Sequence, residues 1–150
     1  MASRIHVVDD DSAIRQMVTF LLVDEGFEVS GSKDGEEGVR TCLLDPPDLL
    51  ILDMMMPGMD GYGVLNALDT SGLRERMRVL ALTAQTTEQH RERILEMGAD
   101  GYMAKPFDPD DLVTTVKELL ALDPEELRAR RMKDKDTAHL LSQLETLFDT

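Results

Sequence analysis

A chain of 150 residues with a formal net charge of −14 and one cysteine, Cys42, is long enough to bury a sizeable single core. It cannot form an intramolecular disulfide or a multi-cysteine zinc site, and its acidity works against non-specific contact with nucleic acid or anionic lipid. The N-terminus has no long apolar stretch of the signal-peptide kind, and no apolar run approaches membrane-spanning length, so a soluble cytoplasmic protein is expected.

Taken in chain order, Ile5-His6-Val7-Val8 predicts a short strand ending at Asp9-Asp10-Asp11. Ser12 or Asp11 can cap a helix with Ile14, Met17, Val18, Leu21 and Leu22 on its apolar face, ending near Gly26. Phe27 to Gly31 predicts a second strand. Asp34-Gly35-Glu36-Glu37 opens a second helix, with Val39, Cys42 and Leu43 inward, and Pro46-Pro47 stops it. Leu49-Leu50-Ile51-Leu52 runs without a polar break up to Asp53, the pattern of a strand buried on both faces. Pro57, Gly58 and Gly61 mark the loop that follows. A helix is expected from about Gly61 to Asp69, a strand over Arg78–Leu82, a helix from about Thr87 to Met97, a strand over Asp100–Ala104 and a helix from about Pro109 to Leu122.

Five alternations of strand and helix imply a parallel, doubly wound α/β sheet with helices on both faces. In such a sheet the C-terminal strand ends share one edge, where ligands bind. Asp9-Asp10, Asp53, Thr83 and Lys105 all stand at such ends. One acidic strand end can be a loop or helix cap, but carboxylates, a hydroxyl and a lysine gathered at one rim are not what solvation alone would place there. Two or three carboxylates suit a hard cation such as Mg²⁺, which takes few protein ligands and keeps phosphate oxygens and water. Lysine can bind a phosphoryl oxygen as a point charge. A carboxylate in that setting can be a nucleophile that forms an aspartyl phosphate.

Val7-Val8-Asp9-Asp10, Asp53-Met54-Met55-Met56-Pro57-Gly58-Met59-Asp60-Gly61, Leu82-Thr83-Ala84 and Lys105-Pro106-Phe107 in combination resemble the receiver domain of bacterial two-component response regulators. The resemblance covers about residues 4–122. It implies a flavodoxin-like five-stranded parallel sheet in the order 2-1-3-4-5, a known arrangement of this fold. It implies Asp53 as phosphoacceptor, Mg²⁺ held by Asp9, Asp10, Asp53 and the Met55 backbone carbonyl, Lys105 paired with the phosphoryl group, Thr83 as switch hydroxyl and Tyr102 as switch aromatic. Lys105-Pro106 resembles the family's cis peptide bond. Met55 and Gln85 flank the site and would tune hydrolysis. The expected partner is a sensor histidine kinase or phosphotransfer protein, and the protein would be a switch rather than a turnover enzyme. A phosphatase of the haloacid dehalogenase type would need a second aspartate where Met55 stands. Asp11 is read as a helix cap rather than a metal ligand.

Smaller features have bland readings. Met54-Met55-Met56 is loop and core packing, His6 a buried or edge side chain, and the basic group Arg128, Arg130, Arg131, Lys133 and Lys135 a solvated helix face. Two regions are expected, a receiver over 1–122 and a helical extension over 123–150, the latter too short for a helix-turn-helix output domain. Asp123-Pro124 can start a new helix. Leu127, Ala138, Leu141, Leu144 and Phe148 give it a partial apolar stripe that needs packing to be stable. That stripe can dock on its own domain, extend the preceding helix or pair with a second copy. The spacing of Leu141, Leu144 and Phe148 favours a homodimer seam.

Overall fold

The computed structural model describes residues 2–148, and in its last helix the side chains at 124–133, 140, 143, 144, 146 and 147. Five strands, β1 (Arg4–Val8), β2 (Glu28–Ser32), β3 (Leu49–Asp53), β4 (Arg78–Thr83) and β5 (Gly101–Ala104), alternate with α1 (Ser12–Asp24), α2 (Gly35–Leu44), α3 (Gly61–Ser71), α4 (Glu88–Glu96) and α5 (Pro109–Ala121). All strand pairs are parallel, and the sheet order is β2-β1-β3-β4-β5, as the resemblance implied.

The apolar run of β3 explains the layering. All five of its residues are buried. Leu49 and Ile51 join Ile5, Val7, Leu80 and Leu82 on one face, under Val18 and Leu22 of α1 and Leu112, Val116 and Leu119 of α5. Leu50 and Leu52 join Val8, Val79 and Ala81 on the other, under Cys42 of α2, Val64, Leu65 and Leu68 of α3 and Ile94 of α4. Period-two alternation along each strand feeds two cores from one sheet. Each fully buried Leu or Ile contributes on the order of 1.5–3 kcal/mol.

Helix starts follow from short polar side chains. Asp11, Asp34, Asp60, Thr87 and Asp108 accept backbone N–H groups at the N-termini of α1 to α5. Part of the acidic excess is therefore structural.

Several expectations shift. β2 lies one residue later than its apolar pattern suggested, because its register is set by pairing with β1 at the sheet edge. Leu43 and Met17, expected inward, are exposed. Cys42 and Val18 already fill the inward line of those helices, and the neighbouring apolar residues fall outside it. A short 3-10 turn, Leu73–Glu75, intervenes before β4 and had no sequence signal of its own.

The tail is a new helix, α6 (Pro124–Phe148). Leu122 is extended, so α6 does not continue α5. Asp123 Oδ1 accepts the Glu126 N–H at 2.8 Å and the Glu126 carboxylate reaches back to the Asp123 N–H at 3.4 Å, a reciprocal cap on the new start. α6 packs against α4 of the same chain. Leu127 is buried, and Arg131 is not part of a solvated face: it reaches the buried carboxylate of Asp100. Docking on its own domain is thus realised over the first turns. Of the rest of the predicted stripe, Leu144 is exposed, and Ala138, Leu141 and Phe148 lie outside the described side chains.

Candidate functional site

The parallel register brings the C-terminal ends of β1, β3, β4 and β5 to one edge. Asp9 follows β1 and is fully buried. Its Oδ1 accepts the Asp11 N–H at 2.9 Å, and its carbonyl accepts Arg15 Nη1 at 2.6 Å. Arg15 thus pins the loop between β1 and α1, a part the sequence did not suggest because it stands a helical turn beyond the acidic run. Asp11 itself accepts the N–H groups of Ala13 and Ile14 through Oδ1, as a cap does, and the clustered carboxylates are Asp9, Asp10 and Asp53.

Asp53, the last residue of β3, is 3% exposed. Its Oδ1 accepts the Met55 N–H at 3.1 Å. The chain must leave this point sharply. Gly58 has φ +73°, and at Gly61 a Cβ would lie 2.6 Å from the Met54 Cα and 2.9 Å from the Asp53 carbonyl oxygen. Only glycine lets the start of α3 approach the end of β3 so closely. Met54 and Met56 pack into the core while Met55 is exposed.

Lys105 lies at the end of β5, before a cis bond to Pro106. Its Nζ is 2.8 Å from Asp9 Oδ2 and 3.3 Å from Asp53 Oδ1, so one ammonium bridges two buried carboxylates. Its backbone N–H donates to the Thr83 carbonyl at 2.8 Å, tying the ends of β4 and β5 together. Thr83 is buried, and its Oγ1 accepts the Gln85 N–H at 3.0 Å. The Tyr102 hydroxyl donates to the Gln85 carbonyl at 3.0 Å. Gln85 therefore joins the hydroxyl and the aromatic through its backbone, whatever its side chain does.

Asp10 is exposed, and oxygens of Asp9, Asp10 and Asp53 lie within 4.8 Å of one another. The site is short of positive charge. Burial, followed by the charge of Asp9 and a hydrogen bond with Asp10, pushes the Asp53 carboxyl up to about 7, against the lowering effects of the Met55 N–H and Lys105. Burial pulls Lys105 down, but its hydrogen bond to Asp9 and the charges of Asp53 and Asp9 outweigh this and leave it above its ordinary value. An all-oxygen donor set of three carboxylates against one ammonium fits a hard divalent ion.

Away from the site, His6 takes the buried placement expected of it, while Asp100 departs from expectation. His6 is buried between Ser30 Oγ and Ser32 Oγ, each 2.7 Å from one ring nitrogen, and is a core group. Asp100, read as the start of β5, is a fully buried carboxylate that accepts the Val79 N–H at 2.8 Å. Nothing local in the sequence marks it, since its partners lie on β4, the 3-10 turn and α6.

Residues 5–117 match the response regulator receiver domain family. The phosphate regulon transcriptional regulatory protein PhoB of Escherichia coli (strain K12) is 39% identical over 120 residues, which are 80% of this chain and 52% of PhoB. The response regulator MprA of Mycobacterium tuberculosis (strain ATCC 25177 / H37Ra) is 36% identical over 142 residues, 95% of this chain and 57% of MprA. The chain spans about half the length of the curated relatives it matches. Among solved structures, the chemotaxis response regulator CheY4 of Vibrio cholerae superposes with a TM-score of 0.75 at 31% identity, over 79% of this chain and 99% of CheY4. The BeF3-activated DrrB receiver domain does so with 0.74 at 30% identity, over 81% of this chain and 100% of that one.

Proposed function

The chain belongs to the response regulator receiver domain family of two-component phosphorelay signalling, and from that premise we propose that Asp53 is its phosphoacceptor and that a sensor histidine kinase or phosphotransfer protein is the donor. The observation that carries this is the Lys105 ammonium bridging Asp9 and Asp53 at 2.8 and 3.3 Å, beside a third carboxylate, at the ligand-binding edge of the sheet.

A carboxylate oxygen of Asp53 forms a bond to phosphorus while the bond from phosphorus to the donor nitrogen breaks, and the electron pair leaves with the imidazole. Asp53 must be ionised to attack. Lys105 is placed to leave Asp9 and pair with a phosphoryl oxygen, and Thr83 can exchange its bond from Gln85 for one donated to another such oxygen. Asp9, Asp10, Asp53 and the Met55 carbonyl are the groups we assign to Mg²⁺. When bound, that ion supplies the positive charge that holds Asp53 ionised and offsets the phosphoryl charge.

The protein on this reading is a switch and not a turnover enzyme. We assign it to the cytoplasm: no helix among the described residues is long and apolar enough to cross a membrane, and its donor is an intracellular kinase domain. Direct contact with nucleic acid is not assigned to a domain of this acidity. Incubation with acetyl phosphate and Mg²⁺ should add one phosphoryl group by intact mass, and Asp53→Asn should abolish it. Undiminished labelling of the variant removes Asp53 from the role.

A further inference from the structure

Helix α4 is the least anchored of the helices that cover the sheet. Ile94 is its one fully buried residue, whereas α1, α2, α3 and α5 each bury two or more. An element with so little buried apolar surface is the one most easily displaced. The segment that leads into it starts at Thr83 and passes through Gln85, whose backbone holds the Thr83 hydroxyl on one side and the Tyr102 hydroxyl on the other. A new acceptor for Thr83 at the rim would draw on that segment and so on the start of α4.

α6 packs along α4 but is anchored elsewhere. Arg131 Nε and Nη2 donate to the two carboxylate oxygens of Asp100 at 2.6 and 3.0 Å. Nη1 donates to the Arg74 carbonyl at 2.7 Å, and Nη2 also to the Met77 carbonyl at 2.9 Å. These partners belong to the ends of the sheet opposite the carboxylate site: Asp100 exchanges two backbone-directed hydrogen bonds with Val79, each 2.8 Å. Leu127, one turn before Arg131, is buried. A helix fixed to the rigid sheet and lying against a weakly held helix opposes movement of the latter.

We propose that α6 is an intramolecular clamp on α4, held by Arg131 and Leu127, that disfavours the phosphorylated arrangement of this receiver and is loosened when Asp53 is modified. The clamp rests on the phosphoacceptor reading above. Coupling between two sites is reciprocal, so the modification must weaken α6 docking by the factor by which docking weakens the modification.

The test uses the full chain with Mg²⁺ and beryllofluoride, read by amide hydrogen exchange. Beryllofluoride should protect the segment Asp53–Asp60 and should speed exchange over residues 127–133 at least threefold. Arg131→Gln should bind beryllofluoride about fivefold tighter or more, judged by titrating the same Asp53–Asp60 protection. Arg74 Nη2 stays 3.5 Å from Asp100, so the variant does not leave that carboxylate without a cation. Leu127→Ala should act in the same direction, and the wild-type exchange arm needs no variant at all. Protection at Asp53–Asp60 with unchanged or slowed exchange in α6, or unchanged or weaker binding by the variants, overturns the clamp while leaving the phosphoacceptor reading intact. Absence of protection at Asp53–Asp60 in the wild-type protein overturns both.

Discussion

At Asp53 two requirements conflict in the metal-free protein. The nucleophile must be ionised, yet burial, the charge of Asp9 and the hydrogen bond with Asp10 hold its carboxyl near 7 rather than 3.8. The folded state therefore keeps a proton that the unfolded chain releases. The sign of the linkage follows: this proton stabilises the fold fully below about pH 4, and that contribution is lost as pH rises through about 7. Its slope is at most about 1.4 kcal/mol per pH unit. Buried His6, lowered by desolvation despite the charge of Glu37, acts oppositely, because the unfolded chain gains its proton first on acidification. It is common to wild type and Asp53→Asn, so it cancels from their difference. In chelator the stability advantage of Asp53→Asn should grow from pH 5 to pH 8, measured by denaturant unfolding. A difference that stays constant with pH would mean that Asp53 ionises as an ordinary surface carboxylate.

At the scale of elements, the caps separate structural acids from functional ones. Asp11 accepts two N–H groups at the start of α1, whereas Asp10 beside it faces the site and caps nothing. Asp11→Ala should cost about 1 kcal/mol of stability and leave Mg²⁺ affinity within about twofold. A tenfold loss of affinity would place Asp11 among the ligands. These elements were largely legible in the sequence, since the four-residue apolar run of β3 and the polar starts of the helices depend on neighbours within one turn or one strand. Tertiary placement was not. Leu43 and Met17 are apolar yet exposed because the inward line of each helix is set by the sheet it meets. Arg131 looked like part of a solvated basic face because its partner, Asp100, is 31 residues away. The site residues were legible for a different reason: parallel topology alone carries every strand end to the same edge, so Asp9, Asp53, Thr83 and Lys105 could be gathered without knowing a distance. The bond of Arg15 to the Asp9 carbonyl, and the link from Thr83 to Tyr102 through the Gln85 backbone, required the coordinates.

At the scale of the whole molecule, three carboxylates and one lysine at a single rim leave a net negative site in a protein of charge −14. A bound divalent cation relieves that repulsion and so couples to global stability. Mg²⁺ at about a hundredfold excess over its Kd should stabilise the fold by roughly 2.7 kcal/mol. Asp10→Ala should remove most of that gain without lowering the stability of the metal-free protein, because Asp10 is exposed and its loss lessens the repulsion. An equal Mg²⁺-dependent rise in Tm for both proteins would move the metal elsewhere. The central claim, that the phosphoryl group resides on Asp53, is tested most directly by chemical trapping. An acyl phosphate on aspartate is reduced by borohydride to homoserine, which peptide mass spectrometry locates to one position. After incubation with acetyl phosphate and Mg²⁺, homoserine should be found at position 53. Homoserine at position 9 or 10 in its place, or none after the intact mass has shown a phosphoryl group added, would contradict it.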